Sequence, residues 1–219
     1  MGKAIQCLAW RSEYMTGLLV NVSSTMSRSR ANGPGLRAVI WVQGCTIGCA
    51  GCYSAPTHPH SANSLVEPSD IVEWILSIPD IEGVTISGGE PFEQAAALVD
   101  VFRNLRSIRP SMTLFVFSGY EYQTLLQSEE KSVHELLQLC DVLSSGPYLA
   151  KHRNQMLLWR GSSNQELHYL SEAYSITMER HWRIDSPTEE YSIQEDRIQF
   201  TGFGGTKSKV LQMASELIG

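Results

Sequence analysis

Short apolar runs alternate with helical patterns through the middle of the chain. The runs at 37–43, 83–87, 112–118 and 141–144 are rich in β-branched and aromatic residues, and each predicts a buried strand. Apolar residues recur at helical spacing in the segments 71–78, 92–108 and 133–139. Because strand and helix alternate, the pattern predicts an α/β fold with right-handed crossovers and a parallel sheet.

The two ends of the chain have other patterns. Apolar runs around the polar R-S-E-Y between Ala4 and Val22 predict a β-hairpin, and the polar stretch 23–32 predicts a loop. Two alternating runs at 174–184 and 191–200 flank D-S-P-T-E-E and predict an antiparallel hairpin. A short helix is predicted over 206–218, after a glycine-rich turn.

Composition excludes some classes of function. The 219 residues are 42% hydrophobic, which suits one domain or one domain with an appendage. The formal net charge is −6 and no basic block occurs, so the charge pattern gives no case for nucleic-acid binding. No apolar run is long enough to span a membrane, and no signal peptide is apparent. We therefore expect a cytoplasmic protein with reduced thiols.

Three of the five cysteines lie close together, directly after the first predicted core strand. Cys45, Cys49 and Cys52 have the spacing C-x3-C-x2-C, and the intervening glycines allow the chain to loop tightly around a metal centre. Thiolates favour zinc, copper(I) or iron–sulfur clusters. If the centre is a [4Fe–4S] cluster, three cysteines leave one iron open to a small molecule.

Two other interpretations of these cysteines stay open on spacing alone. In the first, the cysteines form a closed zinc site with His58 or His60 as the fourth ligand. In the second, the grouping is fortuitous. The remaining cysteines, Cys7 and Cys140, have apolar neighbours, and we expect them to be small buried residues. The loop follows the carboxyl end of a strand, where α/β folds carry their sites, and this favours a functional centre.

Four stretches, in this order, resemble the radical S-adenosylmethionine (SAM) family. They are N-G-P-G-x-R (32–37), G-C-x3-C-x-G-C-Y (44–53), S-G-G-E-P (87–91) and W-R-G-S-S-N-Q (159–165). The first and last are similar to the activating proteins of anaerobic ribonucleotide reductases, a branch of glycyl-radical-enzyme activases. On residues alone, N-G-P-G is either a plain turn or a loop shaped to approach a ligand or partner. The resemblance implies a partial (βα) barrel of parallel strands with extra N- and C-terminal β elements, and it disfavours zinc.

The resemblance also implies the cofactors and the residues that bind them. A [4Fe–4S] cluster would be held by Cys45, Cys49 and Cys52, with SAM on the fourth iron. The residues that match the family's SAM contacts are Gly51, Tyr53, Gly88, Gly89 and Glu90. The chemistry is consistent with this, because glycines let backbone carbonyls approach an ammonium group and a carboxylate stabilises its charge.

The activity that the resemblance implies is reductive cleavage of SAM to methionine and a 5′-deoxyadenosyl radical. In activases this radical takes a hydrogen atom from a glycine of a partner enzyme, here expected to be an anaerobic ribonucleotide reductase. Flavodoxin or ferredoxin would donate the electron. The alternatives are a radical SAM enzyme that acts on another peptide or small molecule, and a zinc-binding interaction module.

Two departures from the resemblance concern the site and the ends of the chain. Ser145 stands where the relatives usually have an aspartate before the glycine that follows the fourth strand. The short reductase activators also lack the two ends. We therefore expect an N-terminal extension at 1–30, a β-hairpin; a radical SAM core at 31–170; and a C-terminal extension at 171–219, a hairpin plus a helix.

Overall fold

A seven-stranded sheet forms the centre of the computed structural model, which describes residues 18–178, 181–182, 189–194 and 197–202. In chain order its strands are β1 (Val20–Ser29), β2 (Arg37–Val42), β3 (Ser64–Val66), β4 (Gly83–Gly88), β5 (Thr113–Phe117), β6 (Val142–Ser145) and β7 (Glu166–Tyr169). The helices are α1 (Pro68–Ser77), α2 (Ala95–Ile108), α3 (Tyr122–Leu126) and α4 (Lys131–Leu139). Short 3-10 turns lie at Ala55–Thr57, Pro91–Gln94 and Ala150–His152, and a separate hairpin joins β8 (Glu189–Gln194) to β9 (Arg197–Gly202).

The middle of the sheet is parallel and its edges are antiparallel. The strand order is β3-β1-β2-β4-β5-β6-β7, and β2, β4, β5 and β6 run parallel to one another. Strand β1 is antiparallel to both of its neighbours, and β7 is antiparallel to β6. The predicted α/β class with a parallel central sheet is confirmed, and the four predicted core strands agree with β2, β4, β5 and β6 to within one or two residues.

Alternate residues of the central strands enter two different apolar clusters. One set, which includes Ile40, Ile86 and Leu114, packs in the larger cluster with residues of α1, α2 and α4. Phe115, the next residue on β5, packs instead with Trp159 in a smaller cluster. The helices and the cluster around Trp159 thus bury the strands on both faces. This burial explains the near-continuous apolar character of the strands.

Two predictions about the ends of the chain are wrong. The stretch 23–32 was expected to be a loop, yet β1 continues to Ser29 because this part of the strand pairs with β2. No strand covers 174–178. The Met178 N–H donates to the Ser175 carbonyl at 3.0 Å, which closes a turn, and the His181 N–H donates to the Met178 carbonyl at 3.1 Å. The run 191–200, expected to be one strand, instead contributes to both β8 and β9, which pair with each other.

Other predictions for the ends lie outside the described residues. These are most of the N-terminal hairpin (residues 4–17 of it) and the helix over 206–218. Within the described ranges, every helix is too short or too polar to cross a lipid bilayer.

Arg37 binds several groups at the end of the sheet where β2 begins. Its guanidinium is fully buried and donates to the carbonyls of Pro34 (3.1 Å) and Val84 (2.8 Å) and to the hydroxyl of Thr85 (2.9 Å). The Thr113 carbonyl accepts a further bond at 3.1 Å. The N-G-P-G stretch leads into this end of β2, whereas the cysteine loop follows the other end. The stretch therefore serves as an anchored turn on the side away from the cysteines.

The β8–β9 hairpin is tied to the end of β1. The Glu190 carboxylate accepts bonds from the backbone N–H groups of Arg30 (2.8 Å) and Ala31 (3.1 Å) and from the Ser29 hydroxyl. The Asn32 amide donates to the hydroxyl of Thr201 at 2.8 Å. These contacts attach the C-terminal segment to the strand that precedes the core.

Candidate metal centre

Backbone hydrogen bonds fix both ends of the cysteine loop. The Gly44 N–H donates to the Thr57 carbonyl at 2.8 Å, the Cys45 N–H to the His58 carbonyl at 3.0 Å, and the Cys52 N–H to the Cys49 carbonyl at 3.1 Å. Gly48 and Gly51 have φ angles of +58° and +74°, in the left-handed region that favours glycine. The loop therefore bends sharply between successive cysteines, as the sequence predicted.

The three thiols of the loop are free and partly exposed. Burial raises the pKa of Cys45, and the backbone N–H groups of Gly48 and Ile47 oppose that rise by donating to its sulfur. Burial also raises the pKa of Cys52, and the neighbouring Cys49 and Cys45 add to the effect. The three sulfurs are thus close enough to interact, and the nearby N–H groups would stabilise thiolates.

Among the described residues, no three side chains of His, Cys, Asp or Glu surround one position that would hold a metal ion. A closed zinc site would need a fourth ligand beside the three cysteines. His60, one of the two zinc candidates, instead pairs with Glu93 at 2.9 Å.

The end of β4 is joined to the cysteine loop through its glycines. The Gly89 N–H donates to the Val42 carbonyl at 2.7 Å, and the Glu90 N–H to the Gly44 carbonyl at 2.8 Å. A Cβ atom on Gly89 would lie 2.1 Å from the Gly44 carbonyl oxygen, a distance that no real side chain occupies. The strip Gly88–Glu90 therefore lies directly against the chain that leads into the first cysteine.

Glu90 is fully buried and connects two strand ends. One carboxylate oxygen accepts bonds from the Phe92 N–H (3.0 Å) and the Ser118 hydroxyl (2.9 Å), and the other accepts from the Gly119 N–H (2.8 Å). Burial raises the pKa of Glu90 to about 7, although these three donors favour the charged form. In this structure the carboxylate braces the carboxyl ends of β4 and β5 against each other.

Glu93 braces the cysteine loop from the other side, and the sequence analysis missed it. Its carboxylate accepts bonds from the N–H of Thr46 at 2.9 Å, from the Thr46 hydroxyl, and from Tyr120 at 3.3 Å. Burial opposes ionisation, but the hydrogen bonds from Thr46, His60 and Tyr120 hold the pKa of Glu93 below its ordinary value. No local signal marks this role, because it depends on the 3-10 turn Pro91–Gln94 facing the loop.

A cleft of about 220 Å³ opens where the four parallel strands end. Its lining residues are Gly51, Tyr53, Ser87, Gly88, Gly89, Phe117, Ser118, Gly119, Gly146, Tyr148, Arg153, Gly161 and Gln165. Four of the five predicted SAM contacts are among them, and the fifth, Glu90, lies behind the wall and is bonded to Ser118 and Gly119. Arg153 is the one charged residue in this lining.

Residues 31–168 match the family described as the 4Fe-4S single cluster domain. The chain belongs to this family. An anaerobic ribonucleoside-triphosphate reductase-activating protein of Haemophilus influenzae is 30% identical, over 63% of this chain and 90% of that protein. The proteins of the same name from Escherichia coli K12 and enterobacteria phage T4 are 28% and 31% identical, over 64% and 62% of this chain and 92% and 85% of their own lengths.

Among solved structures, QueE from Escherichia coli superposes with a TM-score of 0.35 and 18% identity, over 47% of this chain and 52% of that one. This likeness is too slight to bear on the fold or the function. The part of this chain that matches the 4Fe-4S family contains the whole cysteine loop and every residue of the cleft lining.

The segment 159–165 supports the cleft of this 4Fe-4S domain. The Gln165 side chain accepts a bond from the Gly161 N–H at 2.9 Å and donates to the Gly146 carbonyl at 2.9 Å. Asn164 donates to the Pro147 carbonyl at 2.8 Å. The side-chain amides of Asn164 and Gln165 therefore connect two walls of the cleft. Their spacing in the sequence did not indicate this structural role.

Ser145 and Tyr53 each contact a residue outside the cleft lining. The Ser145 hydroxyl, at the position where an aspartate was expected, shares a 2.9 Å hydrogen bond with His168, and burial lowers the pKa of that histidine. The ring of Tyr53 lies 6.1 Å from that of Phe200 on β9, beyond the family match. Burial, with Glu189 nearby, raises the pKa of Tyr53 to about 12.

Proposed function

We propose that this chain is a radical SAM activase that installs a glycyl radical on an anaerobic ribonucleoside-triphosphate reductase. One observation carries the proposal: the three-cysteine loop and the glycine strip of β4 meet at one cleft, inside the region that matches the 4Fe-4S family. The names of the relatives supply the partner. The glycyl-radical enzyme is therefore the expected macromolecular substrate.

Cys45, Cys49 and Cys52 are the proposed ligands of the cluster. When bound, a [4Fe–4S] cluster with SAM on its fourth iron supplies reductive cleavage of the S–C5′ bond, giving methionine and a 5′-deoxyadenosyl radical. The chain's own residues bind, orient and shield. The carbonyls of Gly88 and Gly89 would accept bonds from the SAM amino group, and the Glu90 carboxylate would stabilise its charge from behind the cleft wall.

Gly51 and Tyr53 are the proposed SAM contacts on the loop side of the cleft. Gly51 has no side chain to fill the cleft, and Tyr53 contributes an aromatic ring at its rim. Tyr53 is 46% exposed, which leaves it accessible to a bound nucleoside. Aromatic rings of this kind stack on bases or ribose faces at low entropic cost.

We also infer the shape of the sheet and the organisation of the chain. The residues that follow β4, β5 and β6 line one cleft with the cysteine loop that follows β2, which supports a partial (βα) barrel. A radical SAM core at 31–170 would then carry extensions at 1–30 and 171–219. The proposed compartment is the cytoplasm, where flavodoxin or ferredoxin would supply the electron and the thiols would stay reduced.

Electron paramagnetic resonance tests the proposal directly. Anaerobically purified protein is incubated with SAM, dithionite and an anaerobic ribonucleotide reductase, and a glycyl-radical doublet on the reductase is expected. Cys49→Ala is the matched control and should give no doublet. If the wild-type protein cleaves SAM but no doublet forms, the activase assignment is wrong; if it does not cleave SAM, the radical SAM assignment is wrong as well.

One observation favours a second candidate, a radical SAM enzyme that acts on a different peptide. The β8–β9 hairpin lies beyond the family match and packs Phe200 against Tyr53 at the cleft. A segment at that position would change which substrate segment reaches the cleft. SAM cleavage that is stimulated by another peptide and not by the reductase would support this candidate over the first.

A further inference from the structure

The cysteine loop has two limbs, here named the entry limb (44–47) and the exit limb (53–60). The backbone bonds described above join them at the start of the loop. The ring of His60 also lies over the entry limb, because a Cβ on Gly44 would lie 3.0 Å from the Cδ2 of His60. The two limbs therefore lie side by side, and a single group can contact both.

The Glu93 carboxylate is that group. Its Oε1 accepts a hydrogen bond from the Thr46 N–H of the entry limb at 2.9 Å, and its Oε2 shares one of 2.9 Å with Nε2 of His60 on the exit limb. The Tyr120 hydroxyl donates to Oε1 at 3.3 Å. Both carboxylate oxygens are thus engaged, and the side chain is only 17% exposed. Glu93, Thr46 and His60 together are named here the Glu93 clasp.

The 3-10 turn that carries Glu93 is fixed by hydrogen bonds of its own. The Glu93 N–H donates to the carbonyl of the fully buried Glu90 at 3.1 Å. The next residue, Gln94, donates from its side chain to the Gln43 carbonyl at 2.8 Å, directly before the entry limb. The carboxylate therefore reaches the loop from a rigid support, as a group that positions a site must do.

The clasp acts on the first cysteine through Thr46. Thr46 directly follows Cys45, and the next two residues, Ile47 and Gly48, donate their backbone N–H groups to the Cys45 sulfur. Holding Thr46 therefore also holds these donors. Burial raises the pKa of the Cys45 thiol, and the charge of Glu93 adds to that rise. Hydrogen bonds to sulfur and nearby charges are the means by which a protein tunes an iron–sulfur cluster.

We propose that Glu93 is a positioning residue for the cluster, because it clasps the two limbs of the cysteine loop and holds a negative charge beside Cys45. This inference rests on the cluster of the proposed function, and it gives Glu93 no contact with SAM or with the cluster itself. The clasp slows the loss of iron by keeping the loop closed. The fixed charge opposes the addition of an electron, so the reduction potential is lower than it would be beside a neutral side chain.

Two substitutions separate the contacts of Glu93 from its charge. Glu93→Gln removes the charge and keeps the clasp: the amide oxygen accepts from Thr46, and the NH2 group faces His60, whose ring nitrogen accepts in one neutral tautomer. Glu93→Ala removes both. Glu135→Gln and Glu135→Ala are the matched controls, since this carboxylate on α4 is 19% exposed and pairs with Arg103 at 3.2 Å.

Iron release to a chelator measures the clasp on the cluster-loaded, full-length protein under anaerobic conditions and without SAM. Glu93→Ala should release iron about tenfold faster than the wild type, whereas Glu93→Gln should stay within about threefold of it. His60→Ala, at a side chain that is 57% exposed, removes the contact of one limb only and should fall between the two. The Glu135 variants should release iron at the wild-type rate.

A redox titration followed by electron paramagnetic resonance measures the charge. Glu93→Gln should shift the equilibrium about tenfold toward the reduced cluster, which for one electron raises the midpoint potential by about 59 mV. A side chain that only supported the fold would not move the potential in a variant that keeps its cluster. Glu135→Gln should leave the potential at the wild-type value.

Three outcomes would overturn the inference. Wild-type iron release in Glu93→Ala would show that the loop does not depend on the clasp, and equally fast release in both Glu93 variants would assign retention to charge and not to contacts. An unchanged potential in Glu93→Gln would remove the effect of the charge. If Glu93→Ala does not fold, His60→Ala and the potential of Glu93→Gln decide. The proposed function fails separately, when wild-type protein with an intact cluster does not cleave SAM.

Discussion

Glu90 and Gly119 join the ends of two neighbouring parallel strands, because the backbone N–H of Gly119 donates to the buried Glu90 carboxylate at 2.8 Å. The same carboxylate accepts from Ser118 at 2.9 Å, so both cleft-lining residues after β5 are held by one side chain of the β4 end. The Glu90 N–H is in turn bonded to the Gly44 carbonyl. A single residue thus connects the glycine strip, the cleft wall and the start of the cysteine loop.

Replacement of Glu90 by glutamine should weaken SAM binding more than it affects the cluster. The amide keeps the shape but loses the negative charge, and its NH2 group faces either the Gly119 N–H or the donors from Phe92 and Ser118. We expect SAM affinity to fall about tenfold, measured by equilibrium binding to cluster-loaded protein, with iron content retained. Glu121→Gln, an exposed carboxylate that follows β5, is the control. Unchanged SAM affinity would remove Glu90 from the site.

The pKa of Glu90 predicts a pH dependence of stability. Its value in the folded protein, about 7, is above its ordinary value of 4.5, so the folded state binds the proton more tightly than the unfolded state does. The resulting stabilisation is full below pH 4.5 and is lost as the pH rises through 7. Relative to Glu90→Gln, the free energy of unfolding should fall by about 2 kcal/mol between pH 5.5 and 8.5.

Urea unfolding of wild-type and Glu90→Gln proteins at several pH values measures this difference. Groups that do not interact with Glu90 titrate alike in both proteins, so their contributions cancel in the comparison. Parallel pH profiles of the two free energies would show that the folded-state pKa of Glu90 is not raised.

Each alanine substitution at Cys45, Cys49 or Cys52 should abolish SAM cleavage, since two thiolates hold a cluster poorly. Iron content, the visible absorbance of the anaerobic protein and 5′-deoxyadenosine formation are the measurements. Cys140→Ala is the matched control, because Cys140 is buried among apolar residues and burial raises the pKa of its thiol far above the ordinary value. Production of 5′-deoxyadenosine by any of the three loop variants would contradict the ligand assignment.

Gly89→Ala and Gly51→Ala should differ in their effect on folding. A Cβ on Gly89 would lie 2.1 Å from the backbone oxygen of Gly44, and that oxygen cannot move without breaking its bond to the Glu90 N–H. We expect a loss of about 3 kcal/mol or more in the free energy of unfolding, with loss of bound iron. Gly51 has a positive φ, but a Cβ there would meet only ordinary contacts, 3.7 Å from Tyr148 and 3.8 Å from Ala150, so its alanine variant should lose only about 1 kcal/mol. Equal losses would show that the approach of Gly89 to Gly44 is not tight.

Arg37→Met should destabilise the fold without touching the cleft. It would leave the buried carbonyls of Pro34 and Val84 without their donor, at a cost of about 3 kcal/mol. Chemical denaturation measures the loss, and Arg103→Met, an exposed arginine paired with Glu135 at 3.2 Å, should cause little change. If both variants unfold at the same denaturant concentration, the hydrogen bonds of Arg37 do not stabilise the fold.

The central strands could be predicted from the sequence to within one or two residues, since burial on both faces produces apolar runs that are visible locally. The stretch 23–32 could not be assigned correctly, because its polar residues hide a strand that pairing with β2 stabilises. The hairpin at the C-terminal end was expected, but its pairing was misplaced, since alternation indicates a strand and does not indicate where the strand turns.

The sequence by itself determined the three thiols, the glycines that bend the loop between them, and the place of that loop after a buried strand, because these depend on neighbours within a few residues. Only the tertiary structure decided that Glu93 holds Thr46, that Glu90 joins Ser118 and Gly119, and that Phe200 packs on Tyr53. These partners lie 28 to 147 positions apart in the chain, and no local pattern encodes them. Hydrogen-bond satisfaction and burial select such pairs when strands and loops meet.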